Sequence, residues 1–529
     1  MLRQHLRFLI AGLSATAIVL VVLVAAGLIP GGNQGAKQFP AEGGLDATPN
    51  AGATTILMPR RTEPSVVGSW QILAKRTPAQ AVHAAMLPGG QVLLTTGSGN
   101  DPVRFAAGTF TTTLWDPATG GFRDIPTASD IFCGGQALLA DGTLLVAGGT
   151  SGYHTKKRDF LGDKKAYIFD SKSRLFTPVP DMAQARWYPT LVTLASGKVA
   201  AVGGFTERGK VNDFQEMYDP KSATWSPLPD HLFPTYPHLV PLADGKRVFY
   251  SGENGGKGFP SPGIWNLETG AFSEVGGLPN LGSRVDGSTI LLPPAQDQRV
   301  WTLGGGDYAH HPAMADSFVV DLKATAPHYL PGPSMLQGKV FVSAVILPDR
   351  TVLESGGSTF YNDSPVLEAS IFNPSRGFMS QVATPKVPRV YHSTALLLTD
   401  GRVATLGGNP TGLPAEQRIE IYSPPYLFKG ERPSITQAPV EVSYTKSYPI
   451  KATAATGSTL TSFVLVRPST TTHQNDTGQR LVDLSFTPGP NGGAITFDQG
   501  PGIAPAGWYM LFALDSVGRP SIARWIHLT

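Results

Sequence analysis

Disulfides are excluded at the outset: the 529 residues include one cysteine, Cys133, so no bridge can form within the chain. Charge is scarce as well. Charged residues make up 15% of the sequence, against roughly a quarter in an average soluble domain. The formal net charge of +3 is spread without a long Lys/Arg run, so the footprint of a nucleic-acid binder is missing and no such partner is expected. Low charge leaves little material for exposed helices, while 60 glycines supply many tight turns, and the class read from that balance is all-β. A chain of 529 residues also exceeds what one ordinary core fills, so more than one unit is expected.

From Phe8 to Ile29 the chain runs 22 residues without a charge. As a helix rising about 1.5 Å per residue, that run would cross the ~30 Å hydrocarbon layer of a bilayer. Arg3 and Arg7 precede it, which favours a cytoplasmic N-terminus and places the rest of the chain outside the cell membrane. Residues 1–29 therefore read as a single-pass transmembrane anchor; secretion after signal cleavage is the alternative, since Ala25 and Ala26 could precede a cut. Residues 30–65, rich in Gly, Pro and Ala and without apolar periodicity, read as a flexible tether.

Beyond the tether the sequence is repetitive. Seven segments combine a turn, an apolar strand and a terminal glycine, as in LADGTLLVAGGT (139–150), LASGKVAAVGGF (194–205) and LTDGRVATLGGN (398–409). The first glycines after these strands are Gly97, Gly148, Gly203, Gly252, Gly304, Gly356 and Gly407, separated by 51, 55, 49, 52, 52 and 51 residues. A period near fifty with a glycine pair predicts a seven-bladed kelch β-propeller over residues 66–427. The seventh repeat lacks an outer strand, and GSWQIL (68–73) has that character ahead of the first, so the N-terminal strand is expected to complete the last blade and close the ring. Residues 428–529 lose the period but alternate apolar and polar positions, which predicts a terminal immunoglobulin-like β-sandwich.

Fifteen residues before each first glycine stand Val82, Cys133, Tyr188, Pro237, Thr289, Phe341 and His392. Equivalent blades would hold these at one height around the propeller axis, within a register error of about a residue. Cys133, Tyr188 and His392 are metal-binding or redox-active types, and Tyr391 adjoins the last. Singly, each has a structural explanation: a buried small thiol, a strand tyrosine, a hydrogen-bonded histidine. Their coincidence in one ring points to a site. The pairs His310 and His311, and His231 with His238, sit in proline-rich loops and read as solvent-facing rather than as a second metal site.

These motifs resemble those of the copper radical oxidases, the galactose oxidase and glyoxal oxidase group, from about Ser69 to the C-terminus. DIFCGG supplies Cys133, ARWYPT supplies Tyr188, RVYH supplies Tyr391 and His392, and TTTHQNDTGQR supplies His473. The resemblance implies Cu(II) held by Tyr188, Tyr391, His392 and His473; imidazole and phenolate suit tetragonal copper. It also implies a thioether between Cys133 and Tyr188 that carries a radical, with Tyr391 as general base. A small alcohol, an aldehyde or a cell-surface glycan end would be oxidised, and O2 would leave as hydrogen peroxide. The single cysteine forbids the disulfides of the secreted fungal enzymes, and Phe205 stands where galactose oxidase places a tryptophan over the radical. Those departures favour a bacterial, membrane-anchored, glyoxal-oxidase-like branch, with Trp301 rather than Phe205 as the residue stacked on Tyr188. Filling a blade core is the alternative role for Trp301. The competing function for the whole chain is a non-catalytic extracellular kelch propeller that binds proteins or glycans.

Overall fold

The computed structural model describes residues 62–529 apart from 256–257 and 308–311, so the Phe8–Ile29 run, most of the tether, His310 and His311 lie outside the described residues. Among the described residues no helix is long and apolar enough to cross a membrane. Seven antiparallel sheets form the blades of a propeller. In each, the two strands nearest the axis are covered on both faces, as in Leu144–Ala147 and Val199–Val202, where every residue is buried. Outer strands such as Thr224–Leu228 face water along most of their length. This gradient explains why the inner strands read as unbroken apolar runs and the outer ones do not.

The glycine ending the second strand of a blade is a steric requirement. At Gly407 the backbone is left-handed (φ 69°), and a Cβ there would lie 2.5 Å from the His392 carbonyl oxygen and 2.6 Å from that of Ala81. Only glycine fits so close an approach between neighbouring blades. The ring is closed by Ser69–Arg76, which pairs antiparallel with Arg418–Ser423 and sets Trp70 opposite Tyr422, their rings 4.7 Å apart. This gives the seventh blade its fourth, outer strand.

After the seventh blade an eight-stranded sheet folds over its own core, including Ile450, Phe463, Val482, Ile495, Leu511 and Ile526, and that core is continuous with residues of blades four and five such as Phe249 and Val300. A hairpin leaves this sheet and enters the propeller. Its first strand, Thr470–Thr472, pairs antiparallel with His83–Met86, so blade one gains a fifth, innermost strand.

The closing strand makes a direct test. Trp70 is half-buried and donates to the Ala383 carbonyl at 2.6 Å. Trp70→Ala should cost about 2 kcal/mol in urea unfolding, below the ~3–5 kcal/mol of a fully buried tryptophan. A chain beginning at residue 78 should lose more and self-associate through the exposed Arg418–Ser423 edge.

Candidate metal and redox centre

In blades two to seven the first strand is entered through one residue in a left-handed conformation. Cys133 (φ 61°), Tyr188 (φ 63°), Phe341 (φ 59°) and His392 (φ 63°) take it at the fifteen-residue offset; Tyr236 (φ 44°) takes it one residue early and Asp286 (φ 56°) three residues early. A non-glycine residue there costs roughly 1–2 kcal/mol. These residues precede the innermost strands rather than lying on them, since the strands begin at Gly135, Thr190 and Ser393 in blades two, three and seven.

Two devices impose this geometry. Hydrogen bonds run from loop to loop: the Tyr188 amide donates to the Cys133 carbonyl at 2.9 Å and the Tyr236 amide to the Tyr188 carbonyl at 2.8 Å. Buried guanidinium groups then tie loops to glycine pairs. Arg186 donates to Gly203 O at 2.9 Å and pairs with Glu216 at 3.1 Å, and Arg389 donates to Gly407 O at 2.7 Å. Blade five repeats the clamp with Arg284 on Gly304 O.

His473 arrives by the hairpin. It and Gln474 (φ 48° and 61°) are the central residues of a two-residue turn closed by reciprocal Thr472 and Asn475 bonds at 2.8 and 3.1 Å. Two positive φ values in succession are the signature of a type I′ turn, and the tip carries the imidazole to the axis. There the rings of His473 and His392 are 4.8 Å apart, and those of His473 and Tyr188 are 4.7 Å apart. Sγ of Cys133 and ring nitrogens of His392 and His473 lie within 4.8 Å of one another. The Tyr188 and Tyr391 hydroxyls meet in a very short contact, and the Cys133 thiol is within hydrogen-bonding reach of the Tyr188 phenol.

The donor set suits a metal. Both ring nitrogens of His392 and Nε2 of His473 are buried without a hydrogen-bond partner, while Nδ1 of His473 is held by the Thr472 hydroxyl at 2.7 Å. Buried polar atoms left unpaired are costly, and a ligated cation removes that cost. Burial holds His392 down to about 3 and, aided by His392 and His83, holds His473 well below its usual value, so both imidazoles are neutral and ligand-ready. Burial pushes Cys133, Tyr188 and Tyr391 well above their ordinary ranges; they stay protonated until a cation offsets the cost of the anion. His392, His473 and Cys133 are buried, whereas Tyr188 and Tyr391 keep some exposed surface, so the centre opens on the phenol side.

Residues 432–528 match the family described as Galactose oxidase-like, Early set domain. Over 492 residues the chain is 30% identical to a galactose oxidase of Gibberella zeae (strain ATCC MYA-4620), covering 85% of this chain and 69% of that protein. The chain belongs to the galactose oxidase family. It is also 29% identical to the aldehyde oxidase GLOX of Vitis pseudoreticulata, covering 78% of this chain and 85% of that one. A solved structure described as a novel fungal alcohol oxidase of the AA5 family, in complex with copper, superposes with a TM-score of 0.74 at 25% identity, covering 88% of this chain and all of that one.

Within this family frame the cover over Tyr188 differs from both expectations. Trp301 is fully buried among blade residues, its ring 4.6 Å from Phe372, and has no ring contact with Tyr188. It fills a core, because its strand position faces the neighbouring blade. Phe205 does not touch the phenol ring either; it bridges Trp187 through paired backbone bonds and lies parallel to that indole at 5.7 Å. The residue on Tyr188 is Trp187, its chain neighbour, at 3.6 Å between centroids and 9° between planes. Phe160 stacks on Trp187 in turn at 4.3 Å and 3°.

Tyr236 and His83 belong to the centre too, although the fifteen-residue offset does not reach them. Tyr236 packs 4.3 Å from the Tyr188 ring and 4.7 Å from His473, and donates to the Gly134 carbonyl at 2.9 Å. A one-residue shift in blade four hides it behind Pro237. His83, next to the apolar offset residue Val82, accepts from the Cys133 amide at 3.2 Å and so helps fix the left-handed step at the thiol. His238, solvent-facing by its sequence context, is instead buried, and neither of its ring nitrogens has a partner.

Trp301→Ala should destabilise the fold by about 3–5 kcal/mol through its cavity and leave the decay of a Tyr188 radical unchanged. Trp187→Ala should keep the fold and shorten that radical's lifetime, read by its optical band. Stability should also depend on pH. Burial holds His83, His238 and His392 down to about 3 and His473 well below its ordinary value. Unfolded imidazoles take up protons near pH 6.5, so between about 6.5 and 3 the unfolded state binds more protons. These histidines should therefore withdraw stability from the metal-free protein as pH falls through that window, while Asp286, raised by burial to about 7, works against them. The stability of His238→Leu relative to the parent chain, read by urea unfolding, should rise as pH falls from 6.5.

Proposed function

We propose that the chain is a copper radical oxidase that converts a small alcohol or a hydrated aldehyde, or the end of a cell-surface glycan, to the aldehyde or acid while reducing O2 to hydrogen peroxide. The observation that carries this reading is the convergence of Tyr188, Tyr391, His392 and His473, with the Cys133 thiol against the Tyr188 phenol and three orphaned imidazole nitrogens between them. A protein-binding propeller has no use for such a set. The relatives point the same way, being a galactose oxidase, an aldehyde oxidase and a copper-bound alcohol oxidase.

Bound by Tyr188, Tyr391, His392 and His473, copper would supply a one-electron couple and a seat for the substrate oxygen. Sulfur of Cys133 joined to the Tyr188 ring lowers the cost of removing an electron from that phenol. Tyr391 faces the open side and takes the substrate's hydroxyl proton. Tyr188, as the radical, takes a hydrogen atom from the adjacent carbon, and its stack on Trp187 holds the ring in one orientation for that transfer. Substrate loses two electrons and two protons in all; O2 gains both pairs. Tyr391 is packed by the rings of the buried Phe341, 5.1 Å away, and the half-buried Tyr361 at 6.0 Å.

Location belongs to the same reading: we place the catalytic unit outside a cell membrane, tethered by the uncharged run Phe8–Ile29, in a bacterial glyoxal-oxidase-like branch. The lone cysteine supports that placement over the disulfide-bearing secreted enzymes.

Copper and oxygen should remove two hydrogens from the chain and yield a linked peptide pair containing Cys133 and Tyr188 by mass spectrometry. His473→Ala should abolish tight copper binding, measured by equilibrium dialysis, and Cys133→Ala should keep copper yet lose peroxide production by a factor of roughly a thousand or more. A copper-loaded chain whose Cys133 remains free to alkylation would defeat the assignment.

A further inference from the structure

The stack on Tyr188 does not end at Trp187. Phe160 continues it, Tyr153 lies 5.1 Å beyond Phe160, and Phe105 lies 5.2 Å beyond Tyr153, ring to ring. Phe105, Tyr153 and Phe160 are half-exposed, so the row leads from the centre to the surface. Beside Tyr153 in this row stands a chain of polar groups. The Tyr153 hydroxyl is 2.7 Å from Ser98 Oγ, and Ser98 Oγ donates to the Asp130 carboxylate at 2.5 Å. Ser98 has one proton and gives it to Asp130, so Tyr153 must be the donor to Ser98. Asp130 is buried, and burial raises its affinity for a proton, although bonds from Ser98 and the Phe132 amide oppose that.

A tyrosine stacked on an aromatic row, with a proton acceptor one hydroxyl away, can give up an electron and a proton together. Beside it, Lys156, Lys157 and Arg158 are consecutive, exposed and unpaired by any carboxylate among the described residues, on the loop that connects Tyr153 to Phe160. Like-signed charge at that spot raises the local concentration of an anion.

Resting on the copper-radical reading of Tyr188, we propose that Tyr153 is the port through which an anionic one-electron oxidant converts the Tyr188 centre to its radical form. The oxidant takes one electron from Tyr153. The Tyr153 O–H bond breaks as its proton passes to Ser98, whose own proton moves to Asp130. The Tyr153 radical then takes an electron from the Tyr188 thioether-phenolate across Phe160 and Trp187, and its proton returns from Asp130 through Ser98. Net, the oxidant gains one electron and Tyr188 loses one; Tyr153, Ser98 and Asp130 are restored.

The test has two arms on the full chain. In the metal-free protein, flash photolysis with a ruthenium photo-oxidant should give a tyrosyl signal by electron paramagnetic resonance that disappears in Tyr153→Phe and weakens in Asp130→Asn. In the copper-loaded, thioether-linked protein, stopped-flow oxidation by ferricyanide should slow by roughly tenfold or more in Tyr153→Phe and in Phe160→Leu. Lys156→Glu with Lys157→Glu should slow it too and weaken its salt dependence. Turnover of enzyme already oxidised should be unchanged in Tyr153→Phe and in the double lysine variant. A linked chain whose oxidation rate is indifferent to Tyr153 and Phe160, or a photolysis signal that persists in Tyr153→Phe, overturns the relay. Failure to form the thioether overturns the reading of the centre, and mass alone reports it.

Discussion

In blades three, five and seven a guanidinium without access to solvent donates to the carbonyl of the first glycine of a pair, and the remainder of the site depends on that contact. A buried cation is tolerable only when its donors are satisfied, and the ends of two neighbouring chain segments are what satisfy it. The clamp thereby locks the loop entering the first strand against the end of the second. With those ends fixed, one residue between them must turn left-handed, and its side chain points down the axis. Blade six keeps the logic with a different cation: Lys339 reaches Glu354 at 2.6 Å, two residues before the left-handed Phe341. Chemistry at the axis is thus carried on strained backbone held by interactions that contain no chemistry themselves.

The hairpin from the terminal sheet obeys the complementary rule. The first strand of each blade ends its sheet on the channel side, and Thr470–Thr472 takes that edge in blade one. His473 then sits at a turn whose geometry is set by two positive φ values rather than by packing around the ring. Its Nδ1 is occupied by Thr472, which leaves one nitrogen for a ligand and fixes its direction.

Much of this is legible in the chain before it folds, and the limits are physical. A period near fifty with repeated glycines locates seven blades because each first glycine marks an approach too close for a side chain. Counting back from it reaches Cys133, Tyr188 and His392 because those three loops have equal length; where Pro237 and the fifth loop alter the count, Tyr236 and Asp286 escape it. Trp301 misleads because size and strand position identify a bulky residue without saying whether its face meets the axis or the next blade. Trp187 escapes for the opposite reason. Neighbours in an extended strand point to opposite sides, so residue 187 is not sought over residue 188; the left-handed turn at Tyr188 breaks that alternation and folds the two rings face to face.

The position of His473 along the chain has a temporal consequence. Cys133, Tyr188, Tyr391 and His392 lie in the first four-fifths of the sequence, but the fourth ligand comes within the last sixty residues and is presented only once its sheet has formed. A nascent chain that has not reached His473 therefore carries an incomplete nest, one imidazole short beside its one thiol. The order of synthesis thus places completion of the ligand set after the propeller residues have all been made.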